Sequence, residues 1–211
     1  VNTKRKILWC CLLLCPGLTV AAPFAYVPNE RAGTISIIDI ASDQVVHTMQ
    51  AGIKPRGIAA SPSSKRIYVS DGETGMLLII DTQLRQVIAQ RELGDSPEGV
   101  SVSSDGKLIA CAVEDTNTIV LIDAASLERL AEITVKGENP EHAVFSPDGK
   151  WLYVSAENTN KVDVIDVARR SVQPLYREGK GRVLMDVERY EHHTPSDEDM
   201  ADGLLFIVEG R

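Results

Sequence analysis

One frame of fourteen residues occurs four times in this chain, and its spacing limits the fold more than any other feature of the sequence. It reads YVPNERAGTISIID over Tyr26–Asp39, YVSDGETGMLLIID over Tyr68–Asp81, ACAVEDTNTIVLID over Ala110–Asp123 and YVSAENTNKVDVID over Tyr153–Asp166. The closing aspartates stand at 39, 81, 123 and 166, a period of 42, 42 and 43 residues. Each frame is two short apolar runs parted by a polar turn. An outer run follows each one, at Gln44–Met49, Val87–Glu92, Leu130–Val135 and Ser171–Tyr176. A fourth run precedes the later three, as PRGIAASPSSK, SPEGVSVSSDGK and NPEHAVFSPDGK. Four strands per unit at about 40 to 45 residues is the signature of a propeller blade. A sandwich has no reason to repeat at this interval, and a β-helix would repeat at a shorter one.

The sequence therefore predicts an all-β chain of four-stranded blades, near 24–50, 55–93, 97–135 and 140–176. Turn chemistry agrees with this division. Asp105-Gly106 and Asp148-Gly149 supply residues that tolerate positive φ in a hairpin, whereas Ser63-Ser64 is a poorer turn former and predicts a looser hairpin. Asn29, Asp71, Asp115 and Asn158 can hold the polar turn through their own backbone. In KVDVID, alternation sets Val162, Val164 and Asp166 against Lys161, Asp163 and Ile165. The first unit lacks the run that opens the other three. From Arg177 the text loses its frame, leaving Arg182–Val187 and Leu204–Val208 as strand-like runs around an acidic loop. The expectation is a truncated or open arc with an exposed edge, followed by a divergent acidic tail over 177–211.

Residues 1–21 have a different character. Lys4, Arg5 and Lys6, the apolar run Ile7–Cys15, the break at Pro16-Gly17 and small residues at Thr19-Val20-Ala21 have the anatomy of a secretory signal, and nine apolar residues are too few to span a bilayer. This predicts export to the periplasm or medium. Loss of those three positive charges takes the net charge from −8 to −11, which disfavours nucleic acid as a partner. Of four cysteines only Cys111 lies outside the leader, in a strand pattern that reads as a small buried hydrophobe.

YVPN, YVSD and YVSA, with IID, LID or VID behind them and SPDGK or SSDGK ahead, resemble the YVTN-type β-propeller repeats of exported bacterial proteins. The third copy departs from the motif, with Ala110-Cys111-Ala112-Val113. The resemblance covers about 22–172 and implies a ring of seven blades. The wording GTISIIDIASDQVV and PRGIAASP is closest to propellers associated with PQQ-dependent alcohol catabolism. That resemblance implies a non-catalytic binding or scaffolding module with no cofactor of its own, partnered by a periplasmic quinoprotein dehydrogenase or a cytochrome. A propeller lactonase and a single-stranded-DNA binder are the alternatives.

Catalytic signatures are missing from the sequence: it has no GxSxG, HExxH, CxxC, CxxCH or Gly-rich phosphate loop. Candidate ligand-binding residues are those opening the inner strands at the channel mouth. They are Arg56 in PRG, Glu98 in PEG, and Glu141 with His142 in PEH. His142 stands where the other two copies have glycine. In propellers of nitrite reductases such a histidine ligates a heme, although a solvated loop residue is the simpler reading. Weak metal candidates are His192 and His193 with Asp197 and Asp199.

Overall fold

A computed structural model describes residues 24–159 and 161–173. They form fifteen strands: β1 Phe24–Asn29, β2 Thr34–Asp39, β3 Gln44–Gln50, β4 Pro55–Ala60, β5 Arg66–Asp71, β6 Met76–Asp81, β7 Gln86–Glu92, β8 Pro97–Val102, β9 Leu108–Val113, β10 Thr118–Asp123, β11 Arg129–Thr134, β12 Pro140–Phe145, β13 Trp151–Ala156, β14 Lys161–Asp166 and β15 Ser171–Gln173. Every pairing is between neighbours in sequence and antiparallel. The result is one three-stranded sheet, β1-β2-β3, and three four-stranded sheets, β4 to β7, β8 to β11 and β12 to β15. The leader, the runs at 182–187 and 204–208, and the candidates His192, His193, Asp197 and Asp199 lie outside the described residues.

The repeating frame sets the local structure. In each blade the closing aspartate accepts backbone N–H groups just beyond its strand: Asp39 from Ala41 at 2.8 Å, Asp81 from Gln83 and Leu84 at 2.8 Å, Asp123 from Ser126 at 2.7 Å and Asp166 from Arg169 at 2.9 Å. These bonds turn the chain into the outer strand. The inner hairpin is held by a serine and an aspartate. Ser103 Oγ donates to Asp105 at 2.7 Å and Asp105 accepts the Lys107 N–H at 3.1 Å, with Ser146, Asp148 and Lys150 repeating the arrangement. The Ser63-Ser64 hairpin closes through the same backbone bonds, with Ser64 taking the left-handed position at φ 56° that Gly106 and Gly149 occupy elsewhere. It differs in holding a Ser61–Ser63 hydroxyl pair where the others hold a carboxylate.

Alternating strand residues face opposite neighbours. Leu78 and Ile80 pack back against Ile35 and Met49 of the first blade, while Leu77 and Ile79 pack forward against Ile109 and Cys111 of the third. Ile119 and Leu121 then meet Leu152, Val154 and Ile165 of the fourth. Each fully buried aliphatic side chain contributes about 1.5–3 kcal/mol. This is why the strands read as apolar on both faces.

Polar ties cross the same seams. The Asp71 carboxylate accepts the N–H groups of Ile53 and Lys54 in the crossover from the first blade. Burial alone would raise the Asp71 carboxyl, but these bonds and those from Thr74 and Glu73 hold it below its ordinary value. Asp163, on the buried side of β14, receives Lys136 and Gly137 in the same way, both at 2.7 Å. Along the outer rim, Arg91 donates to the Leu127 carbonyl, Arg129 to those of Glu92 and Leu93, and Arg170 to that of Leu130. The first strands of the complete blades, β4, β8 and β12, lie side by side, and β1 lies next to β4.

Candidate functional site

The inner strands open on a bulge. Pairing of β4 with β5 steps from Pro55 to Ile58, and that of β8 with β9 from Pro97 to Val100, so the two residues after each proline leave the ladder. In β12 the step falls between Pro140 and His142. Bulges of this kind re-aim side chains, and they are common beside functional sites. Here they aim the residue after each proline at a cavity of about 540 Å³. Its walls are Pro28, Glu30, Pro55, Arg56, Gly57, Glu98, Gly99, Glu114, Glu141, His142 and Glu157. All four sequence candidates at the mouth, Arg56, Glu98, Glu141 and His142, are therefore brought together on one surface.

Sequence reasoning missed a second tier of this wall. Glu30, Glu114 and Glu157 each follow the first strand of the fourteen-residue frame, and the second blade has Gly72 at that place. The signal was available, because these positions keep the period of the frame. In the second blade the Arg56 side chain lies over that position. A Cβ on Gly72 would stand 3.0 Å from Arg56 Cδ and Nε, so the glycine gives the arginine its bed.

Arg56 is the hub of the mouth. Its guanidinium pairs with Glu98 through Nη1, lies 3.3 Å from Glu30 and 3.8 Å from Glu114, and donates to Ser96 Oγ at 3.3 Å. Three blades meet on one cation. Glu114 is held further by Ser96 Oγ at 3.1 Å and Asn139 Nδ2 at 2.9 Å. Carboxylate oxygens of Glu114, Glu141 and Glu157 come within 4.8 Å of one another. The lining thus sets five carboxylates against one guanidinium and one imidazole.

Position three of the inner strands records how tightly they pack. A Cβ on Gly57 would lie 2.4 Å from the Glu98 carbonyl oxygen and 2.7 Å from Val100 N. One on Gly99 would lie 2.6 Å from the Glu141 carbonyl oxygen and 3.1 Å from both Cα and Cδ2 of His142. Each glycine admits the backbone of the next blade. Ser70 reinforces that seam, its Oγ accepting the Gly57 N–H at 2.8 Å and donating to the Glu98 carbonyl. His142 interrupts the series: its N–H is held by Ser155 Oγ at 3.2 Å and its ring edge lies over Gly99. Cys111 offers nothing to the site, being fully buried with its thiol pushed far up by desolvation.

Fold and site together define a β-propeller whose mouth is acidic and carries one imidazole. Residues 18–197 match the model of the cytochrome D1 heme domain, and the chain belongs to that family. The family comprises eight-bladed propellers, one blade more than the YVTN resemblance implied. Among curated proteins none matches the sequence. Among solved structures the chain is similar to hydrazine synthase of Kuenenia stuttgartiensis, with 26% identity and a TM-score of 0.68 over 72% of this chain and 45% of that one. It is also similar in fold to the dihydro-heme d1 dehydrogenase NirN solved in complex with DHE, with 16% identity and a TM-score of 0.59 over 72% of this chain and 34% of that one. The chain spans less than half the length of either.

These findings correct the expectation drawn from the YVTN resemblance. The β-propeller stands, but the family is the heme-domain one. The expected non-catalytic accessory of PQQ-dependent oxidation, with its lactonase and DNA-binding alternatives, is overturned by the match to the heme-domain family. The repeat motif led there because YVxx, IID and SPDGK encode strands and turns, which any such propeller needs, and carry no information about a cofactor. Among the described residues no helix is long and apolar enough to cross a membrane.

Proposed function

We propose that these blades form part of a heme-binding propeller whose mouth holds the heme through His142. The observation carrying this reading is that His142 alone, among the three position-three residues of the inner strands, places a side chain at the cavity. Imidazole is a common axial ligand of heme iron, and 540 Å³ falls in the usual range for a cofactor pocket. Arg56 is the one guanidinium of the lining and would meet a carboxylate of the macrocycle by exchanging one of its glutamate partners for it. The five glutamates of the lining would oppose further anionic groups beside them. A bound heme would supply redox chemistry at its iron, and the chain's own residues would hold and orient it.

The organisation read from the sequence, a leader over 1–21, propeller repeats over 22–176 and a divergent tail over 177–211, forms part of the proposal. Export to the periplasm is supported by the basic start and apolar run of that leader. A cytochrome is the partner class that suits an acidic mouth, where a basic heme protein would be drawn in electrostatically. The test is titration of hemin into the full chain, followed by the Soret band. Wild type is expected to shift the band at one equivalent, and His142→Ala to weaken binding at least tenfold. No shift with wild type, or equal binding by the variant, would overturn the assignment.

A further inference from the structure

Arg56 meets three carboxylates at the mouth, and it does so on unequal terms. Glu98, at Nη1, has a side chain only 12% exposed, so parting that pair would strand a charge with little water around it. Glu114 is 20% exposed and is held in place by Ser96 Oγ and Asn139 Nδ2. Glu30 differs from both. Its side chain is 47% exposed, and it opens the single 3₁₀ turn Glu30–Ala32, in which no residue is buried. It also has a second cation within reach. One oxygen, Oε1, stands 3.3 Å from Arg56 Nε and 3.6 Å from Lys54 Nζ. Lys54 lies outside the walls of the cavity, whereas Glu30 and Arg56 both belong to them.

We propose, on the reading of this mouth as a heme site, that Glu30 is a displaceable placeholder, which occupies the Nε side of Arg56 until a ligand carboxylate arrives and then moves to Lys54. Physical chemistry favours this exchange over the other two. A carboxylate arriving on the Nε side leaves the Glu98 pair at Nη1 intact and strands no buried charge. Glu30 loses little by moving, because an exposed pair contributes little and Lys54 supplies a replacement. Until it moves, its charge opposes any anion that approaches the same nitrogen. Glu30 thereby sets specificity. A group carrying its own negative charge can take over the guanidinium, whereas a neutral ester offers Arg56 too little to displace a carboxylate.

The probe is iron-free protoporphyrin IX, which keeps its carboxylates and needs no axial ligand, with its dimethyl ester as the neutral control. Binding to the full chain is followed by porphyrin fluorescence. Glu30→Gln should bind the free acid about fivefold more tightly than wild type, with no such gain for the ester. Lys54→Met removes the place to which Glu30 moves, and should weaken the acid about threefold in wild type. On the Glu30→Gln background the same change should have no effect, because no carboxylate is left to move.

A simple loss of positive charge at Lys54 would weaken both backgrounds equally, and that result would overturn the proposal. So would unchanged or weaker acid binding by Glu30→Gln, an equal gain for the ester, or no binding of the free acid by wild type and Glu30→Gln alike. Failure of His142 as an iron ligand would show elsewhere, as equal hemin binding by wild type and His142→Ala, and would leave the iron-free series as the test of Glu30.

Discussion

Gly57→Ala is expected to destabilise the protein far more than a glycine-to-alanine change made where space is open. The new Cβ would stand 2.4 Å from the Glu98 carbonyl oxygen, and side-chain carbons essentially never approach other atoms below 3.0 Å. The atom in the way is backbone, fixed by the β8–β9 ladder and by Ser70, so it cannot swing aside. Relief requires the second and third blades to part by about 0.6 Å at their inner edge, against a packed seam that includes Leu77, Ile79, Ile109 and Cys111. Overpacking a close-packed interior costs about 1–3 kcal/mol, and an immovable backbone neighbour places this case near 3 kcal/mol. Gly149→Ala is the control. Its φ of 70° is unfavourable for alanine but nothing lies within 4 Å, so only the left-handed conformation is penalised, at about 1 kcal/mol. In thermal melts followed by circular dichroism, Gly57→Ala should lower Tm by about 6–12 °C and Gly149→Ala by about 2–4 °C. Equal shifts for the two variants would refute the argument that the inner strands meet backbone to backbone.

Three further outcomes follow from the site and the turns. Arg56→Ala should cost about 1–3 kcal/mol in urea unfolding, because it leaves Glu98 and Glu114 facing one another without their cation. The double variant Arg56→Ala/Glu98→Gln should recover part of that loss, and no recovery would count against the hub. Hydrogen bonds from Ser103 and Ser146, then those from Lys107 and Lys150, hold the Asp105 and Asp148 carboxyls at about 2, below the ordinary 3.8. A depressed carboxyl stabilises the fold fully above its ordinary value and loses that contribution as pH falls from about 4 to about 2. Carbon-detected NMR should show both midpoints near 2, and Ser103→Ala should raise Asp105 while leaving Asp148 in place. Cys111 should resist alkylation at pH 8 in the native protein and react at once in denaturant, since desolvation keeps its thiol protonated.

Much of the fold was legible in the sequence because each repeated residue has a local job. The closing aspartates cap the turn into the outer strand, and the Ser-x-Asp-Gly-Lys runs close the inner hairpin, so their spacing alone marks out blades. The Ser63-Ser64 hairpin was misjudged as loose, because a serine hydroxyl pair and a left-handed Ser64 reproduce the same backbone bonds. At the site, the upper tier of Arg56, Glu98, Glu141 and His142 was readable from its place after each proline. The lower tier of Glu30, Glu114 and Glu157 was not seen, since nothing in a linear frame says that the residue after the second strand folds over onto the same cavity. The family was misread for the converse reason. Motifs that build strands and turns are shared by propellers with unrelated tasks.

That division of labour says where function should be sought in this molecule. Positions that recur in register, the turn aspartates and the inner-strand prolines, are explained by hydrogen bonds and backbone geometry within single blades. Positions that vary in register gather at the mouth. Arg56, Glu98 and Glu141 occupy one such position; Glu30, Gly72, Glu114 and Glu157 a second; Gly57, Gly99 and His142 a third. Their variation is coupled through space. Gly72 gives up its side chain where Arg56 needs room, and His142 carries one with its ring over Gly99. These coupled departures converge on one cavity, which is where the proposed ligand would sit and where substitutions should be read first.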